Sequence, residues 1–217
     1  MSLKLIGANL SPFVRKVRIV LAEKGLSYDQ DPMVPVGVPD EYKLLHPLGK
    51  VPTLVDGDKV IPDSSAICLY LEKTKPEPAL YPTDAYDLAR AIWFEEYADN
   101  GFISGTIVPF QERVLGPIFF KRDGDEAKVE QALEETLPPL FDYLERELGD
   151  DEWLVGNRFT IADVATAAQF ASFQIGQAEV DAARWPKLAD YVKRLLSRPS
   201  LKAIVEGDLA DLKAMAG

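Results

Sequence analysis

One stretch of the sequence decides the fold, Ser11-Pro12-Phe13-Val14-Arg15-Lys16-Val17-Arg18. It follows a short apolar run, residues 3–8, that predicts a buried strand. Serine is a preferred N-cap residue, and proline suits the first helical position, whose N–H has no partner within a helix. The stretch therefore predicts a strand that feeds a helix N-terminus. A hydroxyl there stands beside unpaired backbone N–H groups and the positive end of the helix dipole, so the position can hold an anion. Local sequence leaves the simpler interpretation open, in which Ser11 only caps the helix.

The helix predicted over residues 12–24 is amphipathic. Its apolar face is made by four residues, Phe13, Val17, Val20 and Leu21. The basic residues of the stretch lie mostly off that face, so we expect Arg15 to face solvent or a partner domain, and an approach of Arg15 to the site is the open alternative. Gly25 ends the pattern, as is common just past a helix C-terminus.

Length and composition fit a folded globular protein. The chain has 217 residues, 47% of them hydrophobic and 27% charged, which allows one large domain or two small ones. No apolar run reaches membrane-spanning length, and the first residues lack the layout of a secretory signal. The single cysteine excludes an intrachain disulfide, a cysteine zinc cluster and a C-x-x-C redox motif. We therefore expect a cytoplasmic protein with no metal and no membrane partner.

Charge is distributed unevenly along the chain. The formal net charge is −11, yet residues 1–80 hold ten basic and ten acidic side chains. The whole excess of negative charge lies in the remainder. A nucleic-acid partner would require a cationic face, so this class of ligand is not expected. The basic residues are densest near Ser11, which suits a small anionic ligand.

The first eighty residues predict alternating strands and helices. Asp56-Gly57 lies between two β-rich runs and is a strong hairpin signal, and Asp63 or Ser64 caps the helix that follows. The elements in order are a strand over 3–8, a helix over 12–24, a weak strand over 28–31, a short helix over 40–45, the hairpin, and a helix to about residue 73. This order, βαβαββα, predicts a mixed four-stranded sheet covered by helices.

The rest of the chain predicts helices alone. A proline-rich linker, residues 76–82, separates a first domain, residues 1–75, from an all-helical domain, residues 83–217. Five helices are expected there: from residue 84 to about 113, over 125–148 with a bend at Pro138-Pro139, after the capping box Thr160-Ile161-Ala162-Asp163, from Pro186 to 195, and a short one from Pro199.

The layout resembles the cytosolic glutathione transferase family, whose members join a thioredoxin-like domain to an all-α domain. The resemblance spans the whole chain and is carried by five motifs in family order. They are Ser11-Pro12-Phe13 with Val17-Arg18 after it, Leu21-Ala22-Glu23-Lys24-Gly25, Pro47-Leu48-Gly49-Lys50-Val51-Pro52-Thr53-Leu54, Asp63-Ser64-Ser65-Ala66-Ile67, and Phe159-Thr160-Ile161-Ala162-Asp163.

The resemblance implies a site for glutathione, used as co-substrate. In this site the Ser11 hydroxyl donates a hydrogen bond to the glutathione sulfur, so that the thiol ionises near neutral pH. The peptide bond before Pro52 is cis, and the backbone of Val51 pairs with the cysteinyl unit. The carboxylate of Asp63 takes the α-ammonium of the γ-glutamyl end, while Ser64 takes its α-carboxylate.

By the same resemblance, Lys50 would bind the glycyl carboxylate of glutathione, and Phe13 would belong to the glutathione site. Two positions depart from the family pattern. The acid of the Asp63-Ser64 pair is usually glutamate, so the reach of the aspartate is one methylene shorter. Ser11 stands where lyase-like relatives carry cysteine, and a serine forms no mixed disulfide.

The function implied is that of a homodimeric glutathione transferase in detoxification. Its thiolate would attack an electrophilic carbon or a peroxide oxygen of a hydrophobic co-substrate held by the helical domain. The alternative is a non-enzymatic adaptor that keeps the fold and binds a protein such as RNA polymerase, because Val17–Gly25 and Val51–Asp56 also resemble the stringent-starvation protein A type.

Several other side chains carry less specific expectations. His46 is expected to have a helix-end or loop role, and Cys68 to be a buried small hydrophobe. Four aromatic residues of the helical domain either line the electrophile pocket or pack the core, and helical spacing does not separate the two: Trp93, Tyr97, Phe102 and Phe110.

Overall fold

The computed structural model describes residues 3–216, without the side chain of residue 216, and the chain divides into two units between Leu80 and Tyr81. The first unit contains a four-stranded sheet in the order β2-β1-β3-β4. β1 is parallel to β2 and antiparallel to β3, and β3 is antiparallel to β4. The elements are β1 Leu3–Ile6, α1 Pro12–Glu23, β2 Tyr28–Asp31, α2 Asp40–Lys43, β3 Thr53–Asp56, β4 Lys59–Pro62 and α3 Ser64–Thr74. The predicted thioredoxin-like βαβαββα order is confirmed.

The register of the sheet decides which loops lie together. Ile6 at the end of β1 pairs with Thr53 at the start of β3, which pairs with Pro62 at the end of β4. The segment after β1, the segment before β3 and the segment after β4 therefore leave the sheet at the same end.

Helix α1 is buried well beyond its apolar face. Val14, Val17 and Val20 are fully buried in the core, but so are the side chains of Arg15 and Lys16. The expectation that Arg15 faces solvent is wrong. Its guanidinium instead contacts the carbonyl oxygen of Leu10 at 3.5 Å. The spacing of apolar residues predicts only which face of a helix is apolar. It does not predict that side chains outside that face, such as those of Arg15 and Lys16, are buried.

A buried ion pair fixes the end of the first unit. The Lys24 ammonium lies 2.8 Å from a carboxylate oxygen of Glu72, with both side chains almost wholly shielded from solvent. The same ammonium donates to the carbonyl oxygens of Lys75 and Pro78, each at 2.8 Å. The N–H of Leu80 donates to Glu72 at 3.2 Å. Part of the segment predicted as a linker is thus held against α1 and α3, while the linker role of residues 76–82 stays a prediction.

The second unit is helical. Its α-helices are α4 Ala85–Glu96, α5 Ile103–Phe110, α6 Gly116–Phe119, α7 Glu126–Gln131, α8 Leu137–Leu148, α9 Ile161–Ile175, α10 Pro186–Ser197 and α11 Pro199–Ala216. Three π-helical segments join some of them without interruption, Tyr97–Phe102, Gln111–Leu115 and Ala132–Thr136. The described helices do not include one with the length and apolar composition that a membrane crossing requires.

Two helical predictions need correction. The helix expected to end near residue 113 continues through its π-helical segments to Phe119. The helix expected to be short after Pro199 runs to Ala216, because Leu201, Ile204 and Leu212 continue a buried stripe into the acidic tail. Pro138 and Pro139 lie in the first turn of α8, directly after the π-helical segment Ala132–Thr136, and the bend expected there stays a prediction.

Helix α9 runs through the core of the second unit, and nearly all of its residues are buried. The predicted capping box is present. The Asp163 carboxylate accepts hydrogen bonds from the Thr160 N–H at 2.8 Å, the Leu154 N–H at 3.1 Å and the Tyr191 hydroxyl at 2.7 Å. Burial raises the pKa of Asp163 to about 6. These contacts give the residue a structural role.

Candidate functional site

The candidate site is built from the segments that leave one end of the sheet. Ser11 follows β1, Val51-Pro52 precedes β3 and Asp63-Ser64 follows β4. The register of β1, β3 and β4 brings these segments to the same end. α1 and α3 both begin there, so the N-termini of two helices also face this end.

Ser11 is the N-cap of α1, with extended backbone angles of φ −68° and ψ 127°. Its hydroxyl oxygen accepts from the N–H of Val14 at 3.5 Å, which is a long contact. The carbonyl oxygen accepts from the N–H of Arg15 at 2.8 Å. Within residues 3–216 the Ser11 hydroxyl donates no hydrogen bond. This half-buried hydroxyl therefore has its proton available at the N-terminus of α1.

Gly7 allows the strand, the helix and the Val51 segment to meet. A Cβ at this position would lie 2.5 Å from the Cγ2 of Val14 and 3.0 Å from the Cβ of Val51. The backbone φ is +150°, which also favours glycine. The Gln30 amide donates to the Gly7 carbonyl oxygen at 2.6 Å. The sequence gives no sign of this role, because the contact joins residues far apart in the chain.

The peptide bond between Val51 and Pro52 is cis, as the resemblance implies. Val51 is buried, and the side chain of Lys50 is exposed. The Tyr42 hydroxyl donates to the Lys50 carbonyl oxygen at 2.7 Å and shares a hydrogen bond with Thr53 at 2.8 Å. Burial raises the pKa of Tyr42, so the phenol stays protonated at neutral pH. Tyr42 thus holds both sides of the cis bond, and the sequence reasoning did not identify it.

Asp63 caps α3, which settles the choice left open between Asp63 and Ser64. The residue has a left-handed φ of +76°, and one carboxylate oxygen, Oδ1, accepts from the N–H groups of Ser65 and Ala66 at 2.9 and 3.1 Å. Ser64 is buried apart from 3% of its surface. Across the described part of the chain its hydroxyl has no hydrogen-bond partner.

Lys16 joins α1 to the start of α3. Its side chain is buried, and the ammonium donates to the hydroxyl oxygen of Ser65 at 2.9 Å. This contact places the charge of Lys16 one residue from Ser64. Phe13, in the first turn of α1, is half-buried. The sequence reasoning singled out Phe13 and missed the contact made by Lys16.

The sequence left open whether four aromatic residues of the helical domain line a pocket or pack the core. Phe102 and Phe110 pack in the helical core, where the Phe102 ring lies 4.9 Å from that of Phe170. Trp93 is 48% exposed, and its indole N–H donates to the Tyr143 hydroxyl at 2.6 Å. Its role as pocket or packing residue stays a prediction.

His46 and Cys68 have the expected placements. His46 follows α2, and its ring stacks on that of Tyr42 with centroids 6.2 Å apart. It is nearly buried, in a loop role as expected. Cys68 lies on the buried side of α3.

Comparison with known proteins gives the family. Residues 5–79 match the model of the glutathione S-transferase N-terminal domain, and residues 110–207 match the model of its C-terminal domain. Glutathione S-transferase 3 of Zea mays is 32% identical over 170 residues, which are 74% of this chain and 73% of the relative. The chain belongs to the glutathione S-transferase family. The predicted family and fold are therefore confirmed.

Two further similarities bear on function. A solved glutathione S-transferase of Methylobacterium radiotolerans, in complex with glutathione sulfonate, is 32% identical with a TM-score of 0.75, covering 94% of this chain and 95% of that chain. FtsZ-localized protein A of Caulobacter vibrioides is 31% identical over 170 residues, which are 75% of this chain and 73% of the relative. The similar proteins thus include one solved with a glutathione derivative and one named for its localization with FtsZ.

Proposed function

We propose that this chain is a glutathione transferase that activates the glutathione thiol at Ser11. The observation that carries the proposal is the donor left at Ser11. A half-buried hydroxyl with no hydrogen-bond acceptor in the described residues caps α1 at the end of the sheet from which Val51-Pro52 and Asp63-Ser64 also emerge. A thiolate placed there receives a hydrogen bond and the field of a helix N-terminus, both of which lower the pKa of a thiol.

The proposed reaction is attack by the glutathione thiolate on an electrophilic carbon or on a peroxide oxygen. The chain contributes stabilisation of the thiolate and proximity, and forms no covalent bond to either substrate. A serine cannot form the mixed disulfide available to a cysteine, so thiol–disulfide exchange is not proposed.

The remaining contacts follow the chemistry of the tripeptide. The backbone of Val51 would pair with the cysteinyl unit, and the exposed Lys50 would hold the glycyl carboxylate. Asp63 uses only Oδ1 for the α3 cap, which leaves Oδ2 for the α-ammonium despite the shorter aspartate. Ser64 would donate to the α-carboxylate, and Phe13 would pack against the ligand.

The other parts of the proposal come from the family. The helical domain would bind a small hydrophobic electrophile, to which the half-exposed Trp93 offers an aromatic face. Two copies of the chain would form a homodimer in the cytoplasm, with detoxification as the role. No metal takes part in the proposed reaction.

Titration of the bound thiol tests the proposal. Wild-type protein should bind glutathione and hold its thiol pKa well below the value in water, as followed by ultraviolet absorbance of the thiolate. Ser11→Ala should return the pKa towards that of free glutathione and lower kcat by about 100-fold, the scale of losing one donor to a developing anion. Ser27→Ala removes an exposed serine and should change neither quantity.

A second candidate is the adaptor, which the similarity to FtsZ-localized protein A favours. An adaptor would keep the fold and leave the thiol site idle. Wild-type protein that does not bind glutathione at millimolar concentration, together with no loss in Ser11→Ala, would decide for the adaptor over the transferase.

A further inference from the structure

We propose that Gln30 is a positioning residue for Ser11, acting through the turn that joins β1 to α1. This inference rests on the proposed function and adds a residue of β2 to those that serve it. Its basis is the hydrogen bond of 2.6 Å in which the side-chain amide of Gln30 donates to the carbonyl oxygen of Gly7, directly after β1.

Gly7 is the point at which the chain between β1 and α1 is least restricted by its own backbone. Glycine lacks the Cβ that limits the backbone angles of other residues, so the peptide group after it needs an external partner to fix its orientation. The N–H of Gly7 donates to the carbonyl oxygen of Asp31 at 2.8 Å, but this bond lies before the two dihedral angles of Gly7. The bond from Gln30 lies after them, and it holds the following peptide group against β2.

The orientation of the Gly7 carbonyl determines where Ser11 lies. The peptide group between Gly7 and Ala8 is planar, so holding its oxygen also sets the direction in which the chain continues. Ala8 then begins a turn that is closed by the N–H of Ser11, which donates to the Ala8 carbonyl oxygen at 3.0 Å. Ser11 ends this turn and caps α1. A rotation of the Gly7–Ala8 peptide group would therefore displace the Ser11 hydroxyl relative to the sheet.

The next two carbonyl groups of the turn are held by side chains of α1. The Asn9 oxygen accepts from the Arg18 guanidinium at 3.3 Å, and the Leu10 oxygen lies 3.5 Å from the guanidinium of Arg15. Both arginines belong to the helix that Ser11 caps, so these contacts move with the helix and do not place it against the sheet. Gln30 belongs to β2, so its bond places the turn relative to the sheet.

The oxygen of the Gln30 amide allows positioning to be separated from stability. This atom, Oε1, is buried and has no hydrogen-bond partner in the part of the chain that the structure describes. A buried acceptor without a partner is unfavourable, and it offsets what the bond to Gly7 contributes to stability. Methionine has nearly the length of glutamine and carries neither the donor nor this oxygen. We therefore expect Gln30→Met to displace Ser11 with little change in the stability of the fold.

Thiol titration and turnover of the Gln30→Met variant test the proposal. The pKa of the bound glutathione thiol should move towards that of free glutathione, by less than in Ser11→Ala. With a chlorodinitrobenzene as electrophile, kcat should fall about 10-fold while the KM for glutathione stays within about 2-fold. The affinity for S-methylglutathione, which has no ionisable thiol, and the urea midpoint of unfolding should both stay unchanged. Hydrogen exchange of the Ser11 amide, which reports on the turn directly, should become about 10-fold faster.

Two further variants complete the test. Tyr70→Phe is the matched control, because it removes one side-chain hydrogen bond of the same unit, from the half-buried Tyr70 to Asp56 at 2.7 Å, at the opposite end of the sheet. It should change neither the thiol pKa nor kcat. Gln30→Asn keeps an amide and is one methylene too short to reach Gly7. It should shift the thiol pKa in the same direction as Gln30→Met, even where Gln30→Met fails to fold.

The outcomes separate this inference from the proposed function. A thiol pKa that is lowered in the wild type, restored in Ser11→Ala and unchanged in the Gln30 variants would overturn the inference. A lower urea midpoint with an equal loss of affinity for glutathione and S-methylglutathione would show a purely structural role and overturn it too, as would unchanged exchange of the Ser11 amide. In each of these cases the transferase proposal stands. Wild-type protein that does not lower the thiol pKa of glutathione would overturn both.

Discussion

At the scale of the residue, Gly7 bears the tightest constraint near the candidate site. It combines a φ of +150° with a virtual Cβ that would lie 2.5 Å from Val14. We expect Gly7→Ala to lower the free energy of unfolding by about 2–4 kcal/mol, from backbone strain and overpacking together. Glutathione binding should weaken as well, because Val14 and Val51 must move. Gly37→Ala is the matched control, since Gly37 has a φ of +63° and open space around its Cβ. Urea unfolding of both variants measures the difference, and equal losses would contradict the packing argument.

The residues that the sequence reveals are those whose chemistry is local. Ser11 and Asp63 were identified because a helix cap acts within three or four residues of its own position. Tyr42, Gly7 and Lys16 were missed because their partners lie far along the chain. Lys16, for example, donates to a residue 49 positions away. A single sequence carries no signal for such a pairing.

At the scale of the element, the Lys24–Glu72 pair joins the end of α1 to α3 and to the segment after it. Lys24→Met should cost about 3–5 kcal/mol, because it removes one partner of a buried ion pair. The double variant Lys24→Met with Glu72→Gln should recover part of this loss.

Lys43→Met is the matched control. It breaks an ion pair with Asp40 of similar length, 2.7 Å, on the surface, where such pairs contribute about 0–1 kcal/mol. Chemical denaturation measures all three, and equal costs at both pairs would refute the role of burial.

Element boundaries were predictable where a cap or a proline marks them. Pro12, Asp84 and Pro186 each lie at or just before a helix start, as expected. The π-helical segments were not predictable, because their extra residue per turn changes the packing phase without a distinctive composition. The close packing of α5 on α8 at Gly105 was not predictable either, since its Cβ would lie 2.7 Å from Leu137 and only the assembled helices define that contact.

At the scale of the whole molecule, the fold class follows from the order of elements and the change in composition after residue 80. Alternating strands and helices followed by helices alone admit few architectures. The functional site is less determined by this order, since members of one fold family perform different functions. The named relatives, one bound to glutathione sulfonate and one named for FtsZ, illustrate that difference.

The net charge of −11 gives a prediction at the same scale. Glutathione is an anion at neutral pH, so the field of the whole molecule opposes its approach even where the site itself is positive. Screening lengths fall from about 30 Å at about 0.01 M ionic strength to about 8 Å at about 0.15 M. Added salt should therefore screen the repulsion from the distant acidic residues more than the attraction at the site. The association rate for glutathione should rise over this range as a result. Stopped-flow measurement of the rate at several salt concentrations checks the expectation. The diamide of glutathione, which carries no carboxylate, should show no such rise. A rate for glutathione that falls with salt would mean that the basic residues around Ser11 outweigh the acidic remainder at long range.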